Sequence, residues 1–255
     1  MSEQDKQSGK GKKNGAGDDN VTPFPSSMRD RQQYYKEKQL KEQPPPPKQP
    51  YEPMLNLPPA VKILSLVLIG IHAASLLLSA DMKFKIYYAL AFVPARYTGD
   101  MPFDIWAFIA PVTHMFLHVG WTHLFVNTGM TLVFGTMLER LRGVKHMMMI
   151  FIAAGLVGAF THMAFYPFSP APLIGASGGL SGLFGAVIII MGNQPGASRK
   201  SMYWMIGIWV LISLVFGGIG FGSVDNVAWT AHIGGLFGGI GMFAYLRKKY
   251  YKYKE

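Results

Sequence analysis

Read for its alternation of apolar and polar positions, the chain divides sharply near residue 60. Beyond that point lie six apolar stretches, at about 61–80, 112–138, 146–166, 172–192, 202–222 and 227–246. Each approaches the roughly 20 residues a helix needs to cross about 30 Å of hydrocarbon, so the pattern predicts an all-α membrane protein with six spans. Phe103–Pro111, just before the second stretch, reads as an interfacial segment. The connection from Asp81 to about Pro111 is long and partly apolar, and predicts a folded segment lying against the membrane. Residues 1–59 show no such periodicity. Rich in Pro, Gln, Lys and Ser, with the run Pro44–Pro47, they predict a largely disordered polar tail. Within it, Gln32 to Gln43 predicts a short charged helix. The expected domains are therefore the tail (1–59), a six-helix domain (60–246) and a basic C-terminal tail (247–255).

Composition agrees. Half of the 255 residues are hydrophobic and 15% are charged, where a soluble domain usually carries about a quarter charged. With no cysteine, disulfides, thiolate metal sites and cysteine nucleophiles are excluded.

Charge adds a direction. The formal net charge of +10 is explained by where the basic residues fall. Lys62, Arg140, Arg142, Lys145, Arg199, Lys200, Arg247, Lys248, Lys249, Lys252 and Lys254 share one side of a six-span topology. The other side holds Lys83, Lys85 and Arg96, offset by Asp81, Asp100, Asp104 and Asp225. By the positive-inside rule both termini face the cytoplasm. The surplus charge then serves topology and contact with anionic lipid, and nucleic acid is not expected as a partner. The tail reads as neither a signal nor a transit peptide, and the expected location is a bacterial inner membrane.

Ionisable or strongly polar groups inside a span mark function by default. Span two carries His114, His118, His123 and Asn127; span four carries Ser177 and Ser181; span six carries His232. At a rise of 1.5 Å per residue, Ser177 and His232 each lie roughly 8 Å inside the outer end of their spans. His123 and Asn127, four apart, share one helix face. Three helices thus offer polar groups at one depth. Small-xxx-small spacings around Ser177 and after His232 would let those helices approach closely. Such glycines commonly serve packing alone, but the matched depth of Ser177 and His232 favours a site. No carboxylate lies near that depth, so a serine–histidine pair is the candidate. Ser177 would be the nucleophile and His232 its base, with His123, Asn127 and the Ser177 backbone N–H available to an oxyanion.

Taken together, His114-Met-Phe-Leu-His118-Val-Gly-Trp-Thr-His123-Leu-Phe-Val-Asn127, Gly175-Ala-Ser177-Gly178 and Ala231-His232-Ile-Gly234-Gly235 resemble the rhomboid intramembrane serine proteases. The resemblance implies a six-helix rhomboid-like bundle with its site opening to the extracytoplasmic side. It also implies Ser177 as nucleophile, His232 as base, and His123 with Asn127 as oxyanion donors. Gly179-Leu-Ser181-Gly182 makes Ser181 a rival nucleophile, but Gly185 stands eight residues after Ser177, as the family pattern requires. Trp106-Ala107 departs from the Trp-Arg pair common in the family's first exterior loop.

The expected activity is endopeptidase cleavage in or near transmembrane helices of membrane-protein substrates, without cofactor or metal. The alternatives are an inactive rhomboid-like protein that binds or escorts membrane helices, and a small-solute transporter, whose inverted repeats are not found. The other histidines and Glu139-Arg140 read as structural. His114 and His118 have ligand spacing but no accompanying carboxylate.

Overall fold

The computed structural model describes residues 27–42, 56–219 and 229–250. The chain forms two units, Met1–Pro53 and Met54–Glu255. In the first, α1 (Met28–Glu42) starts where Ser27 Oγ accepts the Asp30 N–H at 3.1 Å, a serine N-cap. It matches the short charged helix expected at Gln32 to Gln43, and corrects the expectation of disorder over its own length. The rest of the tail expected to be disordered, 1–26 and 43–55, lies outside the described residues.

The second unit contains α2 (Pro59–Ser75), α3 (Ala80–Leu90), α4 (Ala95–Thr98), α5 (Ile105–Thr113) with a 3₁₀ turn at His114–Phe116, and α6 (Trp121–Met130). A π-turn at Thr131–Gly135 leads into α7 (Thr136–Phe165), and α8 (Ser177–Gly192), α9 (Arg199–Ile219) and α10 (Trp229–Tyr250) follow. Two helical arms within α7 meet at Gly143, whose φ of 81° only glycine adopts readily. By length and composition Trp121–Phe165 is apolar enough to cross a membrane, while Pro59–Ser75, Ile105–Phe116 and Ser177–Gly192 are apolar but shorter. Helix α10 runs to Tyr250, so the expected basic tail begins inside a helix.

Two of the expected spans are interrupted. The second, placed at 112–138, is broken between Phe116 and Trp121: Leu117 has ψ 143°, and Gly120 is fully extended at φ −158° and ψ 176°. The fourth, placed at 172–192, becomes helical only at Ser177. Pro170 and Pro172 bias the residues before them away from helix, and Gly175 has φ 118°. Hydropathy registered both segments as span because they are largely apolar, and irregular backbone is tolerated at membrane depth where the protein satisfies it. Their backbone groups are satisfied across the fold. Phe92 and Leu173 exchange N–H···O bonds of 3.1 and 2.8 Å, the Ala95 N–H donates to Ser169 O, and the Gly175 N–H donates to His114 O at 2.9 Å.

The connection between α2 and α5 is folded, as expected. Thr98 donates to Pro167 O, Thr113 to Leu90 O and Tyr97 to Ala107 O. Buried Arg96 donates to Ala89 O, with its guanidinium 4.8 Å from the Tyr88 ring centroid. At the other end of α2, the Glu139 carboxylate accepts the N–H groups of Ala60 (3.1 Å) and Val61 (2.9 Å), and Arg140 donates to Asn56 O. A helix leaves its first N–H groups unpaired, so this pair is the structural contact expected of Glu139-Arg140.

Leu68, Leu124, Leu138, Phe151, Leu180 and Leu246 anchor the main core, bringing α2, α6, α7, α8 and α10 together. A second cluster of Phe184, Ile188, Met202 and Leu236 seats α9 on α8 and α10.

Candidate active site

The site is assembled where α8 and α10 touch without side chains between them. A Cβ on Gly235 would collide with the Gly178 carbonyl, and one on Gly239 with the Gly182 backbone. A Cβ on Gly178 would stand 3.5 Å from Ala231 O, and one on Gly158 of α7 would stand 2.6 Å from that same oxygen. Ser177 immediately precedes Gly178, and His232 lies between Ala231 and Gly235. The glycine contacts therefore bring together the first turns of the two helices that carry these residues.

Ser177 is the first residue of α8, following Ala176 as N-cap. This corrects the expected depth of roughly 8 Å along a helix. The segment before it is non-helical at Gly175, and the serine stands at the helix start. The backbone N–H groups of the opening turn have no intrahelical acceptors and lie at the positive end of the helix dipole. Ser177 is half-buried. Ser181, the rival nucleophile, is fully buried, and its hydroxyl donates to Ser177 O at 2.7 Å.

His123 and Asn127 come from α6. A Cβ on Gly175, two residues before Ser177, would lie 2.7 Å from His123 Cε1, 2.8 Å from His123 Nε2 and 3.7 Å from Asn127 Nδ2. Both side chains thus rest on the Gly175 backbone. Position 175 needs glycine twice over, for its positive φ and for this contact. His123 is within electrostatic reach of His232, and its ring centroid is 5.0 Å from that of His118. Asn127 is buried, and its Nδ2 donor has no protein partner.

The remaining histidines make protein contacts. His114 Nδ1 bonds Ala110 O at 3.0 Å, His72 Nδ1 bonds His118 O at 3.2 Å, and His162 Nδ1 meets Thr230 Oγ1 at 2.8 Å. Thr230, two residues before His232, was not singled out from the sequence, because a threonine in an apolar helix carries no signal until its partner is seen. Among the described residues no group of three or more His, Cys, Asp or Glu is arranged to hold a metal. The buried charged side chains among them, Arg96 and Glu139, are occupied by the backbone contacts already described.

Fold and site together define an all-α bundle of apolar helices, closed by glycine contacts around a serine at a helix start. Residues 103–249, more than half of the chain, match the Rhomboid domain. The chain belongs to the rhomboid family and is an integral membrane protein. It is 35% identical over 136 residues to "Rhomboid protease GluP" of Bacillus subtilis (strain 168), covering 53% of this chain and 25% of that protein. It is 28% identical over 155 residues to "Putative rhomboid protease YdcA" of the same organism, covering 58% and 71%. With "RHOMBOID-like protein 7" of Arabidopsis thaliana it shares 32% over 130 residues, covering 51% and 40%. The chain thus spans a quarter of the first relative's length and well under half of the third's.

Proposed function

We propose that the protein is an intramembrane serine endopeptidase that cleaves membrane-protein substrates in or near their transmembrane helices with a Ser177–His232 dyad. The observation that carries this reading is the backbone contact of Gly178 with Gly235, which brings the first turns of α8 and α10 together. Ser177 Oγ attacks the scissile carbonyl while His232 takes its proton. His232 then returns that proton to the leaving amine, and water hydrolyses the acyl-enzyme by the same base. The tetrahedral oxyanion is met by the Ser177 backbone N–H, His123 and the otherwise unpaired Asn127 Nδ2. Ser181, committed to the Ser177 carbonyl, takes no part.

In this reading the chain makes six spans in the inner membrane with both termini cytoplasmic. The polar tail precedes a six-helix protease domain, and the site opens outward. Substrates are helices that unwind readily near their outer ends, because a helical peptide bond must give up its own hydrogen bonds before attack.

The test is cleavage of a helix-destabilised transmembrane reporter by the purified protein, together with fluorophosphonate labelling. Ser177→Ala should abolish both, while Ser181→Ala should retain them. Cleavage surviving Ser177→Ala would overturn the assignment, and labelling at neither serine would favour a non-proteolytic helix-binding protein.

A further inference from the structure

His118 carries a carbonyl with two neighbouring donors and a fully buried imidazole. His72 Nδ1 lies 3.2 Å from His118 O, and the Tyr87 hydroxyl also lies 3.2 Å from it. Tyr87 Oη is 3.1 Å from Ser75 Oγ, and Ser75 donates its own proton to His72 O at 2.7 Å. Proton accounting orders this group. A carbonyl only accepts, so His72 must carry its proton on Nδ1. Ser75, having given its proton to His72 O, accepts from Tyr87 or leaves that hydroxyl to His118 O. His72 and Ser75 are both buried, so water does not readily replace these bonds. Three elements, α2, α3 and the Leu117–Gly120 break, are thereby tied at one peptide group.

The His118 ring is fully buried, and its nitrogens make no hydrogen bond of full geometry, with the Phe116 backbone within reach of the ring. Its backbone tether and its contacts orient it. It packs edge-on against the His123 ring, at 5.0 Å between centroids and 66° between planes. His123 in turn rests on Gly175, two residues before Ser177.

We propose that His72 and Tyr87 are positioning residues for His123. By holding the His118 carbonyl they fix the ring against which His123 packs, and so the place of its imidazole over Gly175. Neither residue touches the reacting atoms. The inference rests on the protease reading for its kinetic consequence, but not for the linkage itself.

His72→Leu removes the donor while keeping the bulk. His72→Asn restores it, because the Asn Nδ2 group stands close to where His Nδ1 stood. His72→Leu should lower kcat on the reporter by about tenfold, the order expected for a small misplacement of a catalytic group, and leave KM unchanged. His72→Asn should recover most of the loss, and Tyr87→Phe should lower kcat less, since the Tyr87 hydroxyl is shared between His118 O and Ser75 Oγ. In a His123→Ala background His72→Leu should have no further effect, because residues acting through one group are non-additive.

Additive losses, a raised KM with unchanged kcat, or failure of His72→Asn to rescue would each overturn the proposal. Ring-¹⁵N spectra supply a readout that needs no turnover. His72 should be protonated on Nδ1, and the His123 ring signals should move in His72→Leu and return in His72→Asn. A His72 protonated on Nε2, or unmoved His123 signals, would overturn the linkage. A wild-type protein that does not cleave while these spectra behave as expected would sink the protease reading and leave the linkage standing.

Discussion

Asn127 presents a donor that the protein leaves unsatisfied. A buried unpaired polar group costs on the order of 1–3 kcal/mol, so its retention makes sense where the reaction itself supplies an acceptor. Asn127→Ala should lower kcat by about 10²–10³, the loss typical of one oxyanion-hole donor. Thermal stability should fall little, since the side chain has no Nδ2 bond to lose; single-turnover cleavage and a melting curve separate the two. Tyr97, outside the spans, makes a different residue-scale case. Burial pushes its phenol up to about 12, with Arg96 opposing and Asp104 adding to the shift, and the hydroxyl donates to Ala107 O at 2.6 Å. A raised folded-state value means that its contribution to stability is intact below the ordinary tyrosine range near pH 10. That contribution is lost as pH climbs through the folded value. Alkaline unfolding should therefore steepen between those limits, and Tyr97→Phe should flatten it; identical profiles would show that the loop does not depend on this bond.

At the scale of elements, glycine contacts hold α8 on α10. Lipid tails are as apolar as leucine, so membrane helices associate through close packing rather than exclusion of water. Gly235→Ala forces a methyl against the Gly178 carbonyl, whereas Gly241 of the same helix has nothing within 4 Å of a Cβ. Gly241→Ala should be neutral or stabilising, by up to about 1 kcal/mol from helix propensity. Gly235→Ala should be destabilising and should also lower activity, because it parts the turns that carry Ser177 and His232. Similar melting temperatures for the two variants would show that the crossing tolerates the extra volume. Glu139→Ala tests the other end of the bundle. It leaves the Ala60 and Val61 N–H groups without their acceptor and should cost about 1–3 kcal/mol, measured by thermal unfolding.

The glycine spacings and the His123–Asn127 face were legible in the sequence, since each is a local pattern; Glu139 read as structural, but its partners, the Ala60 and Val61 N–H groups, lie far off in the chain. The helix starts at Trp121 and Ser177 were not. Leu117–Gly120 and Leu173–Ala176 are apolar segments whose backbone is satisfied by residues distant in the chain, such as Phe92 for Leu173. Periodicity registers apolar character but not the partner that makes a non-helical path affordable. The error mattered for the site. A serine one turn inside a helix would have its N–H committed to the helix ladder, whereas a serine at the start leaves that N–H open.

For the whole molecule, the proposed orientation rests on where the Lys and Arg residues fall along the chain. Of the three basic residues expected outside, Arg96 is buried on Ala89 O and Tyr88. Lys85 is paired with Asp81 at 2.7 Å, and Lys83 lies over the Tyr87 ring. All three thus make contacts within the fold, and so does Arg140, whose guanidinium donates to Asn56 O at the foot of α2. The chain has no cysteine, so single cysteines report on sidedness without background. Asp100→Cys in the α4–α5 connection should react with a membrane-impermeant maleimide on intact cells. Ser198→Cys, before α9, should react only after permeabilisation. The reverse pattern would invert the topology and turn the mouth above Ser177 toward the cytoplasm, which would require substrates to be cut from the inner face. Labelling of both positions in intact cells would mean that the spans between them are even in number, breaking the six-span count at α7 or α8.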